Sequence, residues 1–272
     1  MENGVQRWLV DISQWNPSRE QFSFILSTLP SHEHSSITRF IHFIDQKRSL
    51  VSRLLQYSLI HQLTNLPFDK IIINRTVESK PYFEHTPNFN FNTSHDGEYV
   101  GIVSEPFFII GLDIVSLITP KQETPIEFVQ NFVSHFTSNE WEDIIGGGDV
   151  MSQFCRYWCL KEAFIKAIGS GLGFTLRRLE FKHSDWKNVV VFIDGVESRE
   201  WEFLISELGN HHFVSIARGH PRNAVENYKR TLRLKENVSS SNVEFMSMFV
   251  DKTVEELLPA SFREQYLKCS GC

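Results

Sequence analysis

The sequence predicts an α+β fold. Blocks of apolar residues at helical spacing are followed by blocks of short apolar runs with strand-like alternation, and this order occurs twice along the 272 residues. Phenylalanine supplies material for a sizeable core: 23 Phe accompany 6 Trp and 6 Tyr, and large rings bury much area each. The expected division is a first α+β lobe over residues 1–115, a second over 116–220, and a partly flexible C-terminal extension over 221–272.

Trp8–Trp15 alternates apolar and polar residues, as a strand does. Asn16-Pro17-Ser18 opens a helix, with Pro17 suited to its first turn, and Leu29-Pro30-Ser31 breaks it. From Ser35 to Leu63 apolar residues recur at helical spacing, and Arg39, Lys47, Arg48 and Arg53 ride on these helices. Asp69–Asn74, Phe89–Phe91, Tyr99–Val103 and Phe107–Val115 are expected strands, with Ser94-His95-Asp96-Gly97 as a turn. Ser116–Pro125 crosses between the halves. Helical material resumes at Ile126 and at Ser138, a serine cap followed by Glu140, Glu142 and Asp143. Ser152–Ile168 is a third helix, stopped by Gly169. Strands are expected at Leu179–Lys182, Val189–Ile193, Glu202–Ile205 and His212–Ala217. In the tail, Ser239-Ser240-Ser241 is an expected mobile stretch, and Met246–Leu258 is amphipathic enough to dock back.

Composition excludes several classes. Lys plus Arg number 27 against 33 Asp plus Glu, a net charge of −6, with 41% hydrophobic and 22% charged residues. Such a chain is too apolar to be disordered and not basic enough for general nucleic-acid binding. No apolar run approaches the roughly 20 residues of a membrane span. Four cysteines in a chain of this length do not make a disulfide framework. Met1–Asp11 lacks the apolar stretch of a secretory signal, and Met1–Arg7, with Glu2 and one arginine, is unlike a transit peptide. The expectation is a cytoplasmic monomer with neither nucleic acid nor membrane as partner.

Two segments can carry chemistry. In Ile110-Gly111-Leu112-Asp113-Ile114-Val115 an aspartate interrupts an apolar strand, which costs free energy unless it is paired or metal-bound. Alternation faces Asp113 away from Leu112 and Ile114. In Trp158-Cys159-Leu160-Lys161-Glu162-Ala163-Phe164-Ile165-Lys166, Glu162 and Lys166 share a helix face. Taken alone, that pair is equally a surface ion pair contributing roughly 0.3–0.5 kcal/mol. Together, Asp113 and Glu162 could give two oxygens to Mg²⁺, with Lys166 as a point charge for a phosphate. The polar run Asn92-Thr93-Ser94-His95-Asp96-Gly97 can hold an anion through hydroxyl, amide and imidazole groups. Arg75–Pro81 is a basic loop. Gly169-Ser170-Gly171-Leu172-Gly173 follows a helix instead of a strand, so it reads as a helix stop, not a nucleotide loop. Cys269-Ser270-Gly271-Cys272 alone does not make a zinc site.

The strand with Gly111 and Asp113, followed by Trp158, Lys161, Glu162, Ala163 and Lys166, resembles the signature of the 4′-phosphopantetheinyl transferases. Asn92–His95, Arg75–Pro81, Phe136–Trp141 and Lys166–Phe174 are similar to the eukaryotic aminoadipate-semialdehyde-dehydrogenase type, and the resemblance runs from Trp8 to Gly219. It implies two similar α+β lobes in a pseudo-two-fold arrangement, with the active site at their interface. It also implies a reaction in which a carrier-protein serine attacks the β-phosphate of coenzyme A, accepts phosphopantetheine and releases 3′,5′-ADP. By the same resemblance Asp113 and Glu162 are Mg²⁺ ligands, Glu162 is also the general base, and Lys166 contacts the pyrophosphate. Arg53, Arg75, Lys80, Asn92, Ser94 and His95 contact the coenzyme, His95 at the 3′-phosphate. Two positions depart from the pattern. Val115 stands where many members carry a second acid, and Ser36 stands near where the eukaryotic type tends to have an arginine, with Arg39 one turn on. Two other functions stay open here: a coenzyme A-binding protein without transferase activity, and a metal-dependent hydrolase of the coenzyme A pyrophosphate.

Overall fold

The computed structural model describes residues 4–85, 89–118, 122–209, 211–232 and 249–269. The first lobe contains β1 (Gln6–Asp11), α1 (Arg19–Thr28), α2 (Ser31–Thr38), α3 (Phe43–Thr64), β2 (Asn74–Arg75), β3 (Pro81–Tyr82), β4 (Asn90–Asp96) and β5 (Tyr99–Glu105). The second contains β6 (Ile109–Ser116), α4 (Pro125–Gln130), α5 (Ser138–Gly146), α6 (Val150–Ile168), β7 (Leu179–Ser184), β8 (Lys187–Ile193), β9 (Val196–Ser198), β10 (Trp201–Leu208) and β11 (His212–Gly219). Then follow α7 (Glu226–Lys229), β12 (Val250–Asp251) and α8 (Ala260–Lys268).

The lobes repeat one path. A strand leads into helices, an antiparallel hairpin follows, and the first strand pairs antiparallel with the last. The resulting orders are β1-β5-β4 and β6-β11-β10. The two-lobed α+β fold therefore holds, but the expected bounds do not. β6 (Ile109–Ser116), which the expected division puts with Asp113 in a first lobe ending at 115, pairs with β11 in the second sheet. The chain thus crosses between lobes before β6 and not at Ser116–Pro125. A buried helix face covers each sheet: α3 buries Leu50, Leu54 and Leu55, and α6 buries Leu160, Ala163, Phe164 and Ala167. A third, smaller core lies between the sheets, where Leu9 and Val103 meet Ile110, Leu112, Ile114, Val214 and Ile216. The tail returns to the first lobe. β12 pairs parallel with β1, Val254, Leu257 and Leu258 are buried, and Trp15 Nε1 donates to Tyr266 Oη at 3.0 Å. The stretch Ser239–Ser241, the start of the Met246–Leu258 segment (residues 246–248) and the last three residues of Cys269-Ser270-Gly271-Cys272 lie outside the described residues. Among the described residues no helix is long and apolar enough to cross a membrane.

Side chains of β4 join the two sheets. Asn92 Oδ1 accepts from the Leu112 amide (2.8 Å), Ser94 Oγ from Ile114 (3.1 Å) and Asp96 Oδ2 from Ser116 (2.7 Å). Asn90 Nδ2 donates to the Phe108 carbonyl at 2.9 Å. Every second amide of β6 thus finds a partner that a neighbouring backbone would otherwise supply. This changes the expected local structure. Ser94 and His95 lie on a strand, not in a turn, and the reversal comes at Gly97-Glu98. Other elements shift for local reasons. Trp8–Trp15 is strand only to Asp11, whose carboxylate caps a 3₁₀ turn through the Ser13 amide. Pro17 precedes the helix, which Ser18 caps together with Gln21. Thr137 caps the helix assigned to Ser138. Asp69–Asn74 begins as a 3₁₀ turn and pairs only at Asn74.

Gly111 sets how closely β6 and α6 approach. A Cβ there would stand 2.0 Å from the Ala163 carbonyl oxygen and 2.5 Å from the Ala167 amide nitrogen, both backbone atoms with little freedom to yield. Gly111→Ala is therefore expected to destabilise the fold by about 3 kcal/mol, the upper end of overpacking costs. A shift of the urea midpoint measures this, and wild-type stability in the variant would contradict the close-packing account.

Candidate active site

The strand–helix contact at Gly111 brings the two signature segments together. Gly111 and Asp113 share the face of β6 toward α6, while Leu112 and Ile114 enter the core between the sheets. One turn separates Glu162 from Lys166 on α6. Lys166 Nζ reaches Asp113 Oδ1 at 2.5 Å and donates to Ser94 Oγ at 3.0 Å, and Ser94 Oγ donates to Asp113 Oδ1 at 3.2 Å. The cluster spans both lobes: Ser94 comes from β4, Asp113 from the seam strand β6, and Lys166 from α6.

Burial raises the pKa of Asp113, and Lys166 and Ser94 oppose that shift. For Lys166 burial acts downward, but the charge and hydrogen bond of Asp113, with Glu162 adding, leave its pKa raised, so it stays cationic. Burial raises the Glu162 pKa as well, the Asp113 charge pushes it further up, and the Lys166 charge opposes both. Asp113 Oδ2 is buried and has no hydrogen-bond partner. A buried carboxylate oxygen without a hydrogen-bond partner suits a hard cation. Among the described residues no three His, Cys, Asp or Glu side chains gather at one point. A cation here would take Asp113 and Glu162 from the protein, and substrate and water would complete its shell. Val115, at the departing position, packs against the second-lobe core.

A cleft of about 270 Å³ opens beside the cluster, with Arg75, Lys80, Asn92, Thr93, Glu162 and Lys166 in its walls. Gly169, Gly171 and Leu172 complete one side, and Gly169, left-handed at φ +75°, ends α6 there. That stretch is a helix stop, as its sequence indicates. Arg75 Nη1 donates to the Ser79 carbonyl at 3.2 Å. Enclosure and then the nearby Arg53 lower its pKa. Lys80 is more constrained than a free phosphate ligand. Its buried ammonium donates to the carbonyls of Ile110 (2.7 Å) and Lys166 (2.6 Å). Burial and then the Lys166 charge pull it down to about 7.

Four predicted coenzyme contacts are placed differently from expectation. Arg53 is not in the cleft wall; its Nε donates to Glu33 Oε2 at 2.8 Å, behind Arg75. The Asn92 side-chain oxygen is occupied by the Leu112 amide. Ser94 and His95 do not act from one turn, because strand alternation buries Ser94 and exposes His95. Surrounding protein lowers the His95 pKa first, and the Lys166 and Arg48 charges act the same way. Arg48, absent from the expected site, holds the Gly97 carbonyl through Nε (2.8 Å) and Nη2 (2.6 Å). Its sequence signal was a basic residue on the same helix as Arg53. Glu78, also unforeseen, lines the cleft within the basic loop.

Lys161 points the other way. It is fully buried in the second lobe, 2.8 Å from Glu140 Oε2, and donates to the carbonyls of Leu176 (3.1 Å) and Leu179 (2.6 Å). Glu140 in turn accepts from the amides of Thr137 (3.0 Å) and Phe181 (3.0 Å). The Phe136–Trp141 and Trp158–Lys166 segments therefore meet through one ion pair, which fixes the rotation of α6.

Two family descriptions match adjoining parts of the chain: 4′-phosphopantetheinyl transferase, N-terminal, over residues 13–107, and the 4′-phosphopantetheinyl transferase superfamily over 109–217. The L-aminoadipate-semialdehyde dehydrogenase-phosphopantetheinyl transferase of Homo sapiens is 37% identical over 227 residues, 78% of this chain and 74% of that protein. The protein of the same name from Mus musculus matches at the same identity and coverage. A phosphopantetheinyl transferase from Thraustochytrium sp. is 30% identical over 227 residues, 79% of each chain. With both lobes matched and the two signature segments meeting where β6 packs on α6, the chain belongs to the 4′-phosphopantetheinyl transferase superfamily.

Proposed function

We propose that this protein transfers the 4′-phosphopantetheine group of coenzyme A to a serine of an acyl or peptidyl carrier protein, releasing 3′,5′-ADP, and that it needs Mg²⁺ to do so. The observation that carries this reading is the Asp113–Lys166–Ser94 cluster, with one Asp113 oxygen unpaired, next to an inter-lobe cleft lined by Glu162 and Lys166. Coenzyme A brings about four negative charges, and the chain is net −6. Positive charge must therefore be gathered locally, and Arg75 and Lys166 in the cleft wall do this.

Phosphoryl transfer rests on positioning and charge neutralisation. Arg75 and the loop that carries it hold the adenosine-side phosphates. Lys166, fixed by Asp113 and Ser94, faces the pyrophosphate. Glu162 accepts the proton from the serine hydroxyl as its oxygen bonds to the β-phosphorus and the bond to the departing 3′,5′-ADP breaks. Glu162 stands in the cleft wall, within reach of a hydroxyl brought to the coenzyme there. Asp113 and Glu162 would hold Mg²⁺, which supplies charge stabilisation to the transferring phosphoryl group. The free thiols of Cys155, Cys159 and Cys269 accord with a reducing cytoplasm, and we place the enzyme there as a monomer.

Incubation with fluorescent coenzyme A and a panel of carrier proteins tests the reading. Labelled carrier is expected with Mg²⁺ and not after chelation. Bound coenzyme with no labelled carrier would make the protein a binding module, and phosphopantetheine released without carrier would make it a hydrolase. Lys166→Ala is expected to lower kcat by about 10²–10³-fold, the effect of removing one donor from a developing charge. A change confined to coenzyme affinity would remove its transition-state role.

A further inference from the structure

The chain that follows the second lobe lies beyond the matched family regions, which end at residue 217. Its residues 224–229 nevertheless touch both walls of the cleft. Ala224 is buried, and the Val225 amide donates to the Ile168 carbonyl at the end of α6 (2.9 Å). Asn227 Nδ2 donates to Glu78 Oε1 at 2.7 Å, reaching the Arg75–Pro81 loop of the first lobe. Tyr228 is fully buried, and its hydroxyl donates to Asn90 Oδ1 at 2.9 Å. The Tyr228 ring lies 5.3 Å from Lys80 Nζ, so it covers the ammonium that ties Ile110 to Lys166. The same ring fills the space over Gly169, where a Cβ would stand 3.1 Å from it.

The Arg75–Pro81 loop also carries bonds within itself. Ser79 and Lys80 donate their amides to Thr76, Thr76 donates to the Lys80 carbonyl, and Ser79 sits at φ +69°. These bonds fix the shape of the loop but not its place against α6. Its place is set by Lys80 from below and by Asn227 and Tyr228 from above. A loop that must be docked at the moment of binding subtracts its ordering cost from ligand affinity.

We propose that residues 224–229 form a strap that holds the Arg75–Pro81 loop against α6, and that Asn227 and Tyr228 are positioning residues for coenzyme A. The identity of the ligand rests on the transferase reading; the strap itself rests on the contacts above. The effect should fall on coenzyme affinity, because neither side chain lines the cleft and neither touches the Asp113 cluster.

Two measurements on the full chain test this. Asn227→Ala and Tyr228→Leu are expected to raise KM for coenzyme A about tenfold, the scale of one lost hydrogen bond, charge-assisted at Asn227 and accompanied at Tyr228 by loss of the ring over Lys80. kcat should change less than twofold, and KM for the carrier should not move. Tyr228→Phe, which keeps the ring over Lys80, should recover part of the loss. Hydrogen exchange needs no coenzyme: the Ser79 and Lys80 amides should exchange at least tenfold faster in Asn227→Ala. Unchanged exchange there, or a lowered Tm with unchanged KM for coenzyme A, overturns the proposal. If the wild-type chain binds no coenzyme A, the transferase reading falls, and the exchange rates alone decide whether the strap exists.

Discussion

Asp113→Ala is expected to abolish transfer, with kcat/KM falling at least about 10³-fold, because several kcal/mol of phosphoryl charge stabilisation depends on the ion it would hold. The substitution removes three things at once. The unpaired buried oxygen is lost, Lys166 loses its 2.5 Å ion pair, and Ser94 loses the acceptor that orients its hydroxyl. Folding should survive, since burial works against the Asp113 charge and the backbone bonds of β6 to β11 are untouched. Carrier labelling beside a thermal melt checks both statements. A variant that melts normally and retains near-full activity would show that the carboxylate is not a ligand.

Lys161→Met has the largest expected effect on stability. The Lys161–Glu140 pair is sealed from water, and burial disfavours the charged form of each partner. Removing one partner leaves Glu140 as an uncompensated buried carboxylate, which costs about 3–5 kcal/mol. The double variant Lys161→Met, Glu140→Gln should recover part of that loss, because no lone charge remains. Urea denaturation of the single and double variants reads both effects. Equal stability of Lys161→Met and wild type would mean that the pair does not hold α6 in the second lobe.

Much of the fold was legible because each lobe states its pattern in local terms. Helical spacing from Ser35 to Leu63 survives as the buried face of α3 from Leu50 to Ile60, although Ile37 falls on α2 and Ile41, between the two helices, is exposed. The spacing from Ser152 to Ile168 survives as the buried face of α6. That Asp113 needs a partner was legible, because an acid in an apolar strand demands one. The partner expected was a cation shared with Glu162, whereas the structure pairs Asp113 directly with Lys166, itself expected at a phosphate. Long-range effects were harder to read. Asn92-Thr93-Ser94-His95-Asp96-Gly97 has turn chemistry, yet it is strand to Asp96, because Asn90, Asn92, Ser94 and Asp96 form a polar face that bonds to β6. That period of two was present in the sequence, but its meaning depends on a strand some 20 residues away. Ile71-Ile72-Ile73 has strand composition without a neighbour to pair with, so the ladder forms only at Asn74. Arg53 looked like a free cation because nothing in the sequence ties it to Glu33, which is 20 residues earlier. Tyr228 gave no signal: a single aromatic residue in a polar tail does not announce that it will close over Lys80.

The account depends on Asp113 and Glu162 sharing one cation. Titration of the protein with Mn²⁺ in the presence of coenzyme A, followed by electron paramagnetic resonance, tests that claim most directly. The account predicts one tightly held ion per wild-type chain, with Asp113→Asn and Glu162→Gln each losing it. Undiminished Mn²⁺ binding in either variant would contradict it.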